Sequence, residues 1–97
     1  MNELVTYSFG EWVKRRRSVL HLTQRELANK AHCSLITIKK IEADERRPSA
    51  DLAGSLIDPL KIRPGEQETF IQCARGLLPV DHLSPPDFLE PEAPPLP

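Results

Sequence analysis

Residues Thr23 to Glu42, TQRELANKAHCSLITIKKIE, decide the fold. Thr23-Gln24-Arg25-Glu26 is a capping box: the threonine hydroxyl takes a first-turn amide, the glutamate carboxylate reaches back, and a helix begins. Leu27, Ala28 and Ala31 then form a narrow apolar stripe, small enough for another helix to come close. His32 and Cys33 make a turn, and Ser34 caps a further helix, LITIKKIEA, running to about Ala43. Ile38 and Ile41 lie three apart on its inward face. Leu35, Ile36, Lys39 and Lys40 cannot all share that face. Two aliphatics beside two lysines make a poor solvated surface and a good contact surface. A short helix projecting from such a pair has the dimensions to enter the major groove of DNA.

Upstream, SFGEWVKRRRS (8–18) predicts a helix capped by Ser8, with Phe9, Trp12, Val13 and Leu20 on its apolar side. Lys14, Arg15, Arg16 and Arg17 follow in its C-terminal half. Cations there suit the helix dipole, and one or two of the four are equally placed to meet phosphate; both readings stand. Downstream, Asp44 to Pro48 is a charged loop closed by proline. Ser49 caps SADLAGSLIDPL, with Leu52, Leu56, Ile57 and Leu60 inward and Pro59 ending or distorting the helix. Pro64-Gly65 marks a turn, and Glu66 to Arg75 predicts a last helix through Phe70, Ile71 and Ala74, stopped by Gly76. The expectation is an all-α domain of five short helices over residues 6–78.

Seven of the ten prolines fall between Pro79 and Pro97, which predicts a disordered or extended proline-rich tail over 79–97. Deletion of residues 80–97 is expected to leave helicity and melting nearly unchanged. Charge divides at the same place. All thirteen Lys and Arg precede residue 76, against ten acids in 1–78, so the expected domain carries about +3 and the tail about −4. Cys33 and Cys73 match no metal-ligand spacing and read as small hydrophobes in a reducing compartment. There is no apolar run long enough to span a bilayer and no signal-peptide pattern, so a cytoplasmic protein without a membrane partner is expected. His21, His32 and His82 have neither a nucleophile nor a carboxylate at motif spacing. No catalytic site, metal or cofactor is expected.

The run LTQRELANKAHCSLITIKKIEADERRPS, Leu22 to Ser49, resembles the helix-turn-helix of Cro and phage repressors, and the resemblance extends over about 9–76. It implies a lambda-repressor-like domain with the second helix across the DNA backbone and the third in the major groove. On this chain it implies base contacts from Leu35, Ile36 and Lys40. It implies backbone contacts from Gln24, Arg25, Ser34, Thr37, Lys39, Arg46 and Arg47, and a structural ion pair between Arg17 and Glu42. Two positions depart from the pattern: His32 and Asp44 stand where the family commonly has glycine, at helix ends that favour positive φ. The reading residues are also unusual, since Leu35 and Ile36 offer bases only thymine-methyl contact and shape while Lys40 favours guanine. The segment RRPSADLAGSLIDPLKIRPGEQETFIQCARG further resembles N-terminal domains of bacterial multidomain signalling proteins that carry a STAND-type ATPase. That likeness implies a parent protein with the tail as linker, although no phosphate-binding loop is present here.

Two functions follow from these residues. The first is double-stranded DNA binding as the module of a bacterial transcription regulator, paired as a homodimer or held in a larger parent, with the surface of the fifth helix as the candidate seam. The second is a protein-interaction module that keeps the fold and uses Leu35 and Ile36 to hold a partner protein.

Overall fold

The computed structural model describes residues 7–88. Five α-helices follow in order: α1 Phe9–Val19, α2 Gln24–Lys30, α3 Leu35–Glu42, α4 Ala50–Ile57 and α5 Gln67–Ala74. Short 3-10 turns stand at Pro64–Glu66 and Val80–His82, and no strand occurs among the described residues. The four expected caps are in place. Ser8, Thr23, Ser34 and Ser49 each accept, through the side-chain oxygen, from the amide three residues on. The Thr23–Glu26 capping box closes in both directions, at 3.0 and 2.9 Å.

Every helix also stops in the same way. His21, His32, Asp44, Lys61 and Gly76 all have φ between 53° and 78°. The residue after each of them returns its amide to a carbonyl five positions back: Leu22 to Arg17, Cys33 to Ala28, Glu45 to Lys40, Ile62 to Ile57 and Leu77 to Gln72. These are Schellman closures, and in four of the five the left-handed residue is not glycine. The reversal at His32 and Asp44 is the one expected; those at His21 and Lys61 carry no glycine, proline or asparagine to announce them.

The core joins all five helices: Val13, Leu27, Ile38, Leu56, Leu60 and Phe70 have no measurable exposure. Phe70 sits between Phe9 and Trp12, with ring centroids 5.4 and 5.9 Å away. α2 packs on α3, α1 on α3, and α4 on α5. At the α1–α3 crossing, a Cβ on Gly10 would lie 2.6 Å from the Glu42 carbonyl oxygen, so only glycine permits this approach.

The packed region does not end at residue 78. Val80, Leu83 and Pro86 are buried, and Trp12 donates its Nε1 hydrogen to the Ser84 carbonyl at 3.1 Å. Glu66 accepts from the Ser84 amide and hydroxyl at 2.7 and 2.9 Å and from Arg63 at 2.7 Å. Residues 79–88 therefore strap the open side of α1. The prolines allow nothing longer than the 3-10 turn at Val80–His82 here, but an extended chain buries side chains readily when an apolar surface lies beneath it. The remainder of the expected tail lies outside the described residues.

Candidate nucleic-acid interface

The orientation of α3 is fixed from behind. Glu42, 8% exposed, accepts from Arg17 Nε at 2.7 Å and Nη2 at 3.1 Å, and from Gln24 Nε2 at 3.0 Å. Arg17 gives its remaining Nη1 to the Leu22 carbonyl at 2.8 Å. One carboxylate thus ties the end of α1, the start of α2 and the end of α3 to a single point. The resemblance implies for Gln24 a brace on α3 as well as a phosphate contact, and the bond to Glu42 makes that brace.

The opposite face of α3 is open. Ile36 is 64% exposed, Lys39 and Lys40 are exposed, and Leu35 and Thr37 are half-buried. Lys39 and Lys40 take part in no ion pair among the described residues. Ser34 Oγ lies 2.8 Å from Thr37 Oγ1 and also accepts the Thr37 amide, so the two hydroxyls form one unit at the helix start. α3 is also without an acid in its first turn, whereas α1, α2, α4 and α5 carry Glu11, Glu26, Asp51 and Glu68 there. The positive end of the α3 dipole is consequently not offset by its own side chains, and an approaching anion meets it directly.

Around this face the expected cations divide. Arg25 and Arg46 are exposed without an ion pair among the described residues. Arg46 is near enough to Cys33 to oppose, by its charge, the rise that burial imposes on that thiol. Arg47 is exposed but lies over the end of α5, where a Cβ on Gly76 would come 2.7 Å from its Nη1. There it meets the negative end of the helix dipole.

The basic run of α1 is mostly structural. Arg15 pairs with Glu11 at 2.8 Å and stands over the Tyr7 ring. Arg17 is committed to Glu42. Arg16 is 5% exposed and donates to the carbonyls of Leu60 and Lys61 at 2.8 Å each, and to those of Pro86 and Phe88. Burial lowers its pKa and the Glu66 charge acts the other way. Only Lys14 of the four is exposed without an ion pair among the described residues.

A family model for the Cro/C1-type helix-turn-helix matches residues 13–67, more than half of the chain. The chain belongs to this helix-turn-helix family. Among curated proteins none matches it. The matched span holds α1 from Val13, the α2–turn–α3 unit and α4, and ends as α5 begins. It includes every residue of the open α3 face and every residue of the Glu42 latch, and it points to double-stranded DNA as the partner. The helix-turn-helix match has no bearing on a signalling ATPase, so that wider resemblance gains nothing from it. Among the described residues no helix is long and apolar enough to cross a membrane, and no group of three acidic, His or Cys side chains is placed to hold a metal.

Sequence reasoning missed the parts of three residues that shape this helix-turn-helix, Asp44, Gly10 and Arg16. Asp44 Oδ1 accepts the Gly10 amide at 2.9 Å, so the residue standing in place of a glycine caps α1 from the end of α3. Gly10 itself permits the crossing. A signal existed for Arg16, which shares the periodic face of Phe9, Trp12, Val13 and Leu20. None existed for the pairing of Asp44 with Gly10, which are 34 residues apart.

Proposed function

We propose that this domain is the DNA-binding module of a transcription regulator, with α3 in the major groove. The observation that carries the reading is the open α3 face, two lysines in no ion pair among the described residues beside exposed Ile36, on a helix braced by the Glu42 latch. Lys40 and Ile36 face base edges, with Leu35 at the margin. Ser34, Thr37 and Lys39 lie along the sugar-phosphate wall, Gln24 and Arg25 at the start of α2, and Arg46 in the following loop. Arg47 adds a phosphate contact only by leaving the end of α5, so its share is the smallest. One such module buries too little surface for tight specific binding, which calls for two copies or a larger parent protein.

The test is fluorescence anisotropy with mixed-sequence duplex DNA at 50 and 200 mM salt. Three to four phosphate contacts predict a loss of roughly 40- to 150-fold in affinity between those conditions. Arg46→Ala should weaken all sequences alike and reduce the salt slope by about one, while Lys40→Ala should alter sequence preference. Parent-like binding by both variants would refute groove docking. A second reading, a protein-interaction module, is favoured by the 64% exposure of Ile36. It is the reading left standing if the chain binds no duplex at 50 mM salt.

A further inference from the structure

Outside the latch and the caps, the polar chemistry left on α3 is narrow. Its sequence, LITIKKIE, contains no Asn, Gln or Arg, so of the side chains that read a purine with paired hydrogen bonds it offers only lysine, to guanine. The nearby amide, Gln24, is engaged by Glu42. The one carboxylate of the helix, Glu42, is buried in the latch, so α3 offers no carboxylate to the amino group of cytosine. Thr37 is paired with Ser34. What remains toward the bases is Lys40, which favours guanine, and the Ile36 side chain, with half-buried Leu35 beside it and Lys39 supplying charge complementary to the duplex.

We propose, building on the groove-docking reading, that Ile36 recognises the C5-methyl group of a pyrimidine and is indifferent to the atom at position 4 of that ring. Thymine and 5-methylcytosine both project this methyl into the major groove. They differ at position 4, where one carries a carbonyl oxygen and the other an amino group. An aliphatic side chain contacts the methyl and cannot distinguish the two. Unmethylated cytosine presents no methyl and meets no carboxylate from α3. A site carrying cytosine at the Ile36 position is therefore weak until that cytosine is methylated, and methylation converts it into a binding site.

The experiment uses the full chain and a duplex selected for binding from a randomised thymine-containing pool. Each thymine of the selected duplex is replaced in turn by uracil, by cytosine and by 5-methylcytosine, keeping proper base pairs, and affinity is read by anisotropy. At one position uracil and cytosine should each weaken binding about fourfold or more, the weight of one buried methyl group, and 5-methylcytosine should restore it to within about twofold of thymine. Ile36→Ala should erase the thymine–uracil difference while keeping the salt slope and the helical circular dichroism of the parent. Salt-sensitive binding with no methyl dependence at any position would overturn this proposal and leave groove docking intact. Absence of binding to every pool at 50 mM salt would remove both.

Discussion

At the scale of single residues, the positions of most consequence are the four non-glycine residues in left-handed backbone. Such a conformation costs an L residue roughly 1–2 kcal/mol, part of which glycine gives back through its looser unfolded state. His32 is exposed and its side chain makes no hydrogen bond in the described structure. His32→Gly is therefore expected to stabilise the domain by about 0.5–1 kcal/mol, measured by urea unfolding. Asp44 has the same backbone and the opposite forecast. Asp44→Gly relieves the strain but removes the acceptor for the Gly10 amide, so the two effects should cancel or leave a net loss. Finding both variants equally stabilised would show that the Asp44–Gly10 bond contributes nothing. Gly10→Ala, in contrast, should be severely destabilising, because the α3 carbonyls would have to move.

At the scale of elements, the Glu42 latch predicts a coupled loss. Glu42→Ala leaves the partly buried Arg17 guanidinium without its carboxylate and should cost about 2–4 kcal/mol. It should also weaken DNA binding beyond what the fraction unfolded explains, since α3 loses its angle. Glu42→Gln, which keeps the shape and can accept one donor, should fall between. The elements also show why some features were legible and others were not. Helix starts were readable because a side chain makes the cap, and Ser8, Thr23, Ser34 and Ser49 each announce one. Helix stops at His21 and Lys61 were not, because the reversal there depends on Leu22 and Ile62 turning back toward the core, a tertiary preference with no local signature. The open face of α3 was legible through the conflict of Leu35, Ile36, Lys39 and Lys40 with the period of Ile38 and Ile41. The α1 basic run stayed open between two readings, because a row of cations looks alike whether its members meet phosphate, a buried carbonyl or a neighbouring acid.

At the scale of the whole molecule, the strap decides stability. Truncation after residue 78 removes Val80 and Leu83 from the core and uncovers Trp12, which is 3% exposed. The expected loss is about 3–5 kcal/mol, a large share of the stability of so small a domain. It should appear as a lower Tm together with a red shift in the fluorescence of Trp12, the only tryptophan. An unchanged Tm and spectrum would mean that the strap does not dock. Acid should loosen the same contact. Burial pushes the Glu66 carboxyl up, but bonds from the Ser84 amide, from Arg63 and from the Ser84 hydroxyl outweigh it and hold the group below its ordinary value of 4.5. A group depressed in the fold contributes fully above its unfolded value and loses that contribution as pH falls through the folded one. Glu66→Gln should flatten the decline of Tm below about pH 4.5, and a decline as steep as the parent's would place the acid sensitivity elsewhere. The bond from Trp12 to Ser84 spans 72 residues of chain, and this has a bearing on biosynthesis. At ribosomal speeds of about 5–20 residues per second, Trp12 is made roughly 4 to 14 seconds before the segment that shelters it. During that interval the nascent chain can assemble α3 but not seal α1, so the indole is a surface open to a chaperone.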